Sequence, residues 1–260
     1  MKSIVITGST RGIGFALARA FLARQCQVVI SSRTAEAVQS AVHSLETEFG
    51  ESRAVGFSCD VQDVDQVQNL WNQSNAAYGD IDIWINNAGI SNEQNPAWEI
   101  PVGEMQAVVG INILGTMYGT KVALQGFMNQ GHGALYNMEG MGADGRIPTD
   151  GLSVYGMTKA GLHYYNKCLG REVDEPGIIT GALQPGMVLT DLIMKRYEDK
   201  PGEWEKVKGI LSVIANPVDD VANWLADKIL GNDKNGAYFR YSSTFRILKR
   251  MLLAPFTRNK

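Results

Sequence analysis

Short apolar runs alternate with longer segments of helical spacing along most of the chain. In those longer segments apolar residues recur every three or four positions, as from Ile13 to Leu22 and from Val64 to Trp71, which is the pattern of a helix with one buried face. Strands that are apolar nearly throughout, with helices between them, indicate a parallel sheet covered on both faces, and right-handed crossovers then favour a doubly wound α/β fold. The predicted strands are Ser3–Thr7, Gln27–Ser31, Arg53–Cys59, Ile81–Asn86, Ala134–Asn137, Ile178–Leu183 and Ala237–Arg240.

Two segments depart from this alternation. We find no linker-like tract and no internal repeat, so we predict one domain over residues 1–240, followed by a tail over residues 241–260. Residues 191–217 follow the sixth strand, where ligands bind in such sheets, and are predicted to form a substrate lid. The tail has basic residues, no acidic residue and apolar residues at helical spacing. It is predicted to be a basic amphipathic helix that packs on its own body or on a partner subunit; the alternative is that it lies on a membrane surface.

Composition and charge narrow the class of protein. The chain has 260 residues, 45% of them apolar and 20% charged, which excludes disordered and fibrous architectures. A net charge of −3 argues against nucleic acid as a partner. No apolar run reaches the length of a membrane span and no export signal is evident, so we predict a cytoplasmic protein with at most peripheral membrane contact. The cysteines and histidines show no disulfide or metal-ligand spacing, and the histidines are expected in surface or packing roles: Cys26, Cys59, Cys168, His43, His132 and His163.

A glycine-rich turn lies between the first predicted strand and the first predicted helix. Gly8 permits the sharp turn, Gly12 lets the backbone approach a pyrophosphate, and Gly14 allows close packing of helix on strand. The free N–H groups and the dipole at the start of the helix favour phosphate. The sequence therefore predicts a dinucleotide site that includes Gly8, Ser9, Thr10, Arg11, Gly12, Ile13 and Gly14.

The residues after the second strand bear on which dinucleotide binds. A NAD site places a carboxylate here, but the sequence has Ser32 and Arg33, and Glu36 is expected in the first turn of a helix capped by Thr34. Arg33, with Ser32 and Arg11, can hold a 2′-phosphate through charge-assisted hydrogen bonds. We therefore predict NADPH/NADP+ as the cofactor; the alternative is that Arg33 is an ordinary surface arginine.

Further cofactor contacts are predicted after the third and fourth strands. Asp60 can accept a hydrogen bond from the adenine amino group while Val61 packs on the ring, although Asp60 can equally cap the next helix. In the turn formed by Asn87, Ala88 and Gly89, small residues leave room for a cofactor.

The strongest catalytic candidate is the pair Tyr155 and Lys159, at the start of a predicted helix. The i, i+4 spacing places both side chains on one helical face. A phenol has a pKa near 10, and a nearby ammonium lowers that pKa towards the working range. Tyr155 can then give a proton to a carbonyl oxygen as hydride arrives from a nicotinamide.

Together with Asn112 and the Pro185-Gly186 pair, these motifs resemble the short-chain dehydrogenase/reductase family over essentially the whole chain. The resemblance implies a seven-stranded Rossmann fold, Tyr155 as the acid/base and Lys159 on the nicotinamide ribose. It also implies that Asn112 holds a proton-relay water. A homodimer or homotetramer is expected. The nicotinamide is expected to be surrounded by Pro185, Gly186, Val188 and Thr190.

One departure from the family pattern concerns a serine that normally polarises the substrate carbonyl. No serine occurs between Gly133 and Leu152, and losing such a donor typically costs two or three powers of ten in turnover. The stretch Asn137-Met138-Glu139-Gly140 instead resembles the chlorophyll(ide) b reductase branch, which also lacks that serine and reduces a formyl group with NADPH. Glu139 is then a candidate for a catalytic or orienting role, for example as a protonated hydrogen-bond donor; otherwise it is a loop carboxylate in water.

The sequence thus favours an NADPH-dependent reductase of a bulky apolar aldehyde or ketone, with a formyl-bearing chlorin as the preferred substrate. Four aromatic and methionine side chains can line a cleft for such a substrate, or can equally be ordinary packing in the lid: Trp98, Met194, Tyr197 and Trp204. A reductase of small ketones or of 3-oxoacyl groups is the alternative enzyme. A protein that binds NADP(H) without turnover, as an interaction module, is the alternative from another class.

Overall fold

The computed structural model describes residues 1–145, 148–188, 202, 209 and 215–241. Its seven strands are β1 Ser3–Ile6, β2 Gln27–Ser32, β3 Ala54–Ser58, β4 Ile83–Asn86, β5 Gly133–Met138, β6 Ile178–Gln184 and β7 Ala237–Arg240. The helices are α1 Gly12–Ala23, α2 Ala35–Phe49, α3 Val64–Tyr78, α4 Val102–Val109, α5 Thr116–Gln130, α6 Ser153–Glu172 and α7 Val218–Leu230. The predicted lid lies almost wholly outside the described residues, and so does the predicted tail beyond Tyr241.

All seven strands are parallel and follow the order β3-β2-β1-β4-β5-β6-β7. This confirms the predicted doubly wound α/β fold, and each predicted strand is present with small changes at its ends. The chain reverses its direction of winding between β1 and β4, which are neighbours in the sheet. In such sheets a crevice opens at that switch point, beyond the carboxyl ends of the strands, and ligands bind there.

Alternation along β1 explains why the strands are apolar nearly throughout. Ile4 and Ile6 belong to one buried cluster, whereas Val5 belongs to another on the opposite face of the sheet. The second cluster contains Trp84, which is fully buried as expected for a core residue, with the Trp71 ring 5.9 Å away. Val64, which the helical spacing placed on the buried face of α3, is instead 38% exposed because it stands at the first turn of the helix.

One long helical stretch, Val102–Gln130, runs through α4, a π-helical segment Gly110–Gly115 and α5. By length and composition it resembles a membrane span, but 56% of its most apolar part is buried inside the protein. Core helices of globular proteins often have this same length and apolar composition. The π segment was not predicted, and such segments are frequent at functional sites.

Candidate active site

The turn after β1 has the backbone shape that a bound pyrophosphate requires. Gly8 has φ +61° and Gly12 has φ +57°, both in the left-handed region that favours glycine. At the start of α1, Arg11 makes no side-chain capping bond and the first turn holds no acidic residue. The first N–H groups of a helix lack partners within the helix, so here they are available to phosphate oxygens. The residues present therefore fit a dinucleotide.

In the same turn, Gly14 allows close packing and Ser9 makes hydrogen bonds. A Cβ on Gly14 would overlap the carbonyl oxygen of Gly8 and the side-chain amide of Asn87, so only glycine fits. The Ser9 hydroxyl donates to the carbonyl of Ile6 (2.6 Å) and accepts from the N–H of Ser31 (2.9 Å). Ser9 was predicted to contact the cofactor, whereas its side chain is fully buried and ties the turn to β2.

The ends of β1 and β4 are locked together at the switch point. The Thr7 hydroxyl accepts from the N–H groups of Asn87 (3.0 Å) and Ala88 (3.1 Å). The Asn87 side chain donates to the carbonyls of Thr7 and Gly8, both at 2.9 Å. Asn87 Oδ1 is buried without a partner among the described residues. This junction leaves one unused acceptor beside the glycine-rich turn.

At the predicted adenosine end, Arg33 is exposed directly after β2. Asp60 is not the helix cap that was one alternative for it, because α3 is capped by Asp63, whose carboxylate accepts from the N–H groups of Asp65 and Gln66. Asp60 instead accepts from the N–H of Gln62 (3.0 Å). Thr34 does stand at the cap position of α2, but its side chain makes no capping bond.

Val61 is 7% exposed and lies against the π segment, where a Cβ on Gly115 would overlap its side chain. The turn from Pro185 to Val188 follows β6, with Gly186 at φ +75°, and Val188 pairs with Asn216 in a parallel bridge. Thr190 lies outside the described residues.

The two residues of the predicted catalytic pair lie in the first two turns of α6. Tyr155 is 8% exposed and Lys159 5% exposed. The Lys159 ammonium is 5.8 Å from the centre of the Tyr155 ring and donates to the carbonyl of Met138 (3.2 Å). Burial lowers the pKa of Lys159 to about 8, and the negative charge of Glu139 opposes that effect. The predicted Tyr–Lys proximity is thus present, with a lysine that is unusually easy to deprotonate.

Asn112 lies in the π segment and ties three parts of the site together. Its side chain accepts from the N–H of Ile90 (2.9 Å) and donates to the Ile90 carbonyl (2.9 Å) and to the Thr158 hydroxyl (3.0 Å). Because Thr158 precedes Lys159 in α6, this amide fixes α6 relative to the loop after β4. A Cβ on Gly89 would lie 3.3 Å from Asn112 Oδ1 and 3.5 Å from Lys159 Nζ, so the three residues meet.

Gly140 lies opposite the Tyr155 hydroxyl, in the stretch where the sequence lacks the serine of the usual family pattern. A Cβ at Gly140 would overlap the Tyr155 hydroxyl and would lie 3.3 Å from two carbons of Lys159. The backbone of the β5–α6 connection therefore comes closer to the tyrosine than a side chain at this position permits.

We expect Gly140→Ser to lower kcat by about 100-fold rather than to restore a missing donor, because the new Cβ displaces the Tyr155 hydroxyl. Steady-state kinetics with NADPH checks this. Gly161→Ala is the matched control, since its Cβ would meet only Ile113 at an ordinary 3.5 Å. A Gly140→Ser enzyme faster than wild type would show that the interpretation of this position is wrong.

Glu139 is not a loop carboxylate in water, because its side chain is 0% exposed. It lies within hydrogen-bond distance of His163, Asn166 and Tyr238, none of which the sequence analysis placed in the site. His163 was expected in a surface or packing role. Its position four residues after Lys159 was the available signal, since it puts both side chains on one face of α6.

An apolar cleft of about 830 Å³ opens above Tyr155. Its walls come from the loop after β4 and from the connection between β5 and α6. They include Pro96, Trp98, Met141, Leu152 and Met157. Trp98 lines this cleft and its side chain is 84% exposed; whether it contacts a substrate stays a prediction. Met194, Tyr197 and Trp204 lie outside the described residues.

Fold and site together define an oxidoreductase that uses a nicotinamide dinucleotide. The protein-family model for short chain dehydrogenases matches residues 2–201, so the chain belongs to the short-chain dehydrogenase family. This confirms the family resemblance drawn from the motifs.

Two relatives and one solved structure show where the chain lies within that family. Chlorophyll(ide) b reductase NOL, chloroplastic, of Arabidopsis thaliana is 40% identical over 90% of this chain and 67% of the relative. The protein of the same name from Oryza sativa subsp. japonica is 36% identical over 96% of this chain and 74% of the relative. Among solved structures, ElxO with NADP bound has a TM-score of 0.81 and 25% identity, covering 92% of this chain and 96% of that one. The predicted resemblance to the chlorophyll(ide) b reductase branch is thereby confirmed.

Proposed function

We propose that this protein is an NADPH-dependent carbonyl reductase that reduces the formyl group of chlorophyll(ide) b to a hydroxymethyl group. The observation that carries the proposal is the buried Tyr155–Lys159 pair: Tyr155 lines the apolar cleft, and Lys159 Nζ would lie 3.5 Å from a Cβ on Gly89, in the turn after β4. Both plant relatives are named as chlorophyll(ide) b reductases, which supports the substrate.

Each residue of the site has a chemical task in this proposal. NADPH supplies a hydride to the carbonyl carbon. The Tyr155 hydroxyl gives a proton to the carbonyl oxygen, and the Lys159 ammonium stabilises the phenolate that remains. Asn112 holds α6 and the loop after β4 in register through its three hydrogen bonds. The reaction leaves an alcohol and the oxidised cofactor.

The cleft favours a large flat apolar substrate over a small ketone. Its apolar walls and the exposed face of Trp98 offer a surface on which a conjugated macrocycle can stack. A small ketone would leave most of about 830 Å³ filled with water.

The experiment that tests the substrate compares kcat/KM for chlorophyllide b, a 3-oxoacyl thioester and a small cyclic ketone, each with NADPH. We expect chlorophyllide b to be preferred by about 100-fold or more, because it buries far more apolar surface on binding. Preference for either of the other two carbonyls would favour the alternative reductase. Tight NADPH binding with no turnover of any carbonyl would favour the interaction module, an outcome that the buried proton-transfer pair argues against.

We expect Arg33→Ala to weaken NADPH binding by about 10- to 100-fold and to leave NADH binding nearly unchanged. The exposed guanidinium after β2 is proposed to make charge-assisted hydrogen bonds to the 2′-phosphate, which NADH lacks. Isothermal titration of both cofactors measures the difference. Arg33→Lys keeps the charge but not the bidentate geometry, so its NADPH affinity should lie between that of wild type and that of Arg33→Ala. Equal losses for NADPH and NADH would refute the assignment.

The proposed partners follow from the substrate and from the tail. A chlorin is apolar, and the basic tail over residues 241–260 is proposed to hold the protein at the surface of the membrane that contains it. Two measurements, each made with and without residues 245–260, separate membrane binding by the tail from packing on a partner subunit. Liposome co-sedimentation reports membrane binding, and oligomer size reports packing in a homodimer or homotetramer. The plant relatives are chloroplastic by name, and a cytoplasmic location for this chain stays a prediction.

A further inference from the structure

Tyr155 stands in the first turn of α6, where a helix does not satisfy its own N–H groups. The helix begins at Ser153, so Tyr155 is its third residue, and the N–H of that residue has no acceptor within the helix. Leu152 stands at the cap position, and its side chain makes no capping bond. Because Tyr155 is buried, its N–H needs an acceptor from another part of the protein.

Asn92, in the loop after β4, supplies that acceptor. Its Oδ1 accepts from the N–H of Tyr155 (3.1 Å), a residue 63 positions further along the chain. Its Nδ2 donates to the carbonyl of Gly151 (2.8 Å), just before α6, and to the carbonyl of Glu93 (2.7 Å). A backbone N–H can only donate and a carbonyl can only accept, so these three bonds also fix which way the amide points. Asn92 is 1% exposed, and it performs the task of a helix cap from a distant segment.

The loop after β4 and the connection before α6 pack closely against each other beside Asn92. The Gln94 side chain donates to the carbonyl of Asp150 (3.0 Å). A Cβ on Gly151 would lie 2.6 Å from a side-chain carbon of Gln94 and 3.0 Å from its backbone, and Gly151 has φ +76°, so this approach requires glycine. Both segments form walls of the apolar cleft. Asn92 therefore joins the walls of the cleft to the turn of α6 that carries Tyr155.

We propose that Asn92 is a positioning residue that holds Tyr155 in place relative to the cleft by capping α6 from the loop after β4. This inference rests on the proposed reductase function, in which the Tyr155 hydroxyl gives a proton to the substrate carbonyl. Asn92 acts through the backbone of Tyr155 and not on the substrate. Asn112 holds the next turn of α6 through the Thr158 hydroxyl, so the loss of Asn92 should free mainly the first turn.

The test is the comparison of kcat with NADPH affinity in Asn92→Leu, which removes all three hydrogen bonds and keeps a side chain of similar length. We expect kcat to fall by about 100-fold, since a misplacement of about 1 Å at a reacting group costs that much in rate. NADPH affinity should stay within about twofold of wild type, because the glycine-rich turn is tied to β4 through Thr7 and Asn87 instead. Steady-state kinetics with chlorophyllide b and isothermal titration of NADPH measure the two quantities. A folded Asn92→Leu enzyme with the wild-type kcat would overturn the proposal.

Asn235→Leu is the matched control, because Asn235 makes the same kinds of bond at the other end of α6. Its Oδ1 accepts from the N–H of Thr180 (2.9 Å), and its Nδ2 donates to the carbonyls of Gly170 (3.2 Å) and Val173 (2.7 Å). We expect this variant to keep kcat within about twofold of wild type, since the first turn of α6 is untouched. If it lowers kcat as far as Asn92→Leu does, general loosening of α6 explains the loss and the proposal is wrong.

A conservative variant tests whether the acceptor oxygen is the part of Asn92 that matters. Asn92→Asp keeps an acceptor for the Tyr155 N–H, and a negative charge is favourable at the start of a helix. Its kcat should therefore be at least about tenfold above that of Asn92→Leu. An Asn92→Asp enzyme as slow as Asn92→Leu would contradict the proposal. Should Asn92→Leu not fold, Asn92→Ala removes the same three bonds without added bulk and replaces it, with the same expected results.

A second readout needs no turnover and separates this proposal from the proposed function. Hydrogen exchange of the Tyr155 amide, followed by NMR in the cofactor-free protein, reports directly on the bond to Asn92. The exchange should be at least about tenfold faster in Asn92→Leu than in wild type, and unchanged in Asn235→Leu. A Tyr155 amide that stays equally protected in Asn92→Leu would overturn the proposal. If wild type reduces no carbonyl, the proposed function fails, whereas this exchange rate still decides whether Asn92 holds the first turn of α6.

Discussion

Replacing Tyr155 with phenylalanine should lower kcat by about three powers of ten and leave NADPH affinity nearly unchanged. The hydroxyl is the proton donor of the proposed reaction, and general acid catalysis contributes about 10² to 10⁴ in rate. The ring itself stays, and it is 8% exposed and packed beside Lys159, so the fold and the cofactor turn should be undisturbed. Stopped-flow kinetics with saturating NADPH and NADPH titration measure the two quantities separately.

Tyr164→Phe is the matched control for this change. Tyr164 lies on the same helix but is 73% exposed, so removing its hydroxyl should leave kcat at the wild-type level. A Tyr155→Phe enzyme that keeps more than about a tenth of the wild-type kcat would rule out Tyr155 as the proton donor.

Replacing Lys159 with methionine should lower kcat by about 100-fold or more and also change how stability depends on pH. Without the ammonium, the phenolate of Tyr155 loses its stabilising charge. The lysine has a pKa of about 8 in the folded protein, against an ordinary value of 10.5 for an exposed lysine. Between these values the unfolded chain binds a proton that the folded protein does not, so unfolding free energy rises with pH in that window. The full rise is about 3 kcal/mol, since one pKa unit corresponds to about 1.4 kcal/mol.

This rise should disappear in Lys159→Met and persist in Lys167→Met, which alters an exposed lysine on the same helix. Urea unfolding of the cofactor-free proteins at several pH values between 7.5 and 9.5 provides the measurement. A wild-type protein whose stability does not increase over this range would show that Lys159 is not a buried ammonium of lowered pKa.

The sheet was predictable because its strands are buried on both faces. Such strands appear in the sequence as short continuous apolar runs, and Ile4, Val5 and Ile6 illustrate this, with neighbours that face opposite clusters. The glycine-rich turn was predictable for a related reason, since the φ angles of Gly8 and Gly12 are ones that other residues avoid. In both cases the local chain carries the information.

The environment of Glu139 was not predictable in the same way. The run after β5 has no periodic pattern, and the carboxylate is buried only because α6 and β7 bring His163, Asn166 and Tyr238 to it. Tyr238 is 99 positions away in the chain, so no local pattern reports the contact. Likewise the capping of α3 by Asp63 rather than Asp60 depends on where the helix begins. The surroundings of Glu139 are thus decided by contacts between distant segments, whereas the cap of α3 is decided locally by the residue at which the helix begins.

The most direct test of the proposed reduction is transfer of deuterium to chlorophyllide b from NADPH that carries deuterium at both C4 positions of the nicotinamide. If this protein delivers hydride to the formyl carbon, mass spectrometry of the product should find one deuterium on the new hydroxymethyl carbon, formed by wild type and scarcely at all by Tyr155→Phe. An unlabelled product, or no alcohol at all while NADPH remains bound, would contradict the account.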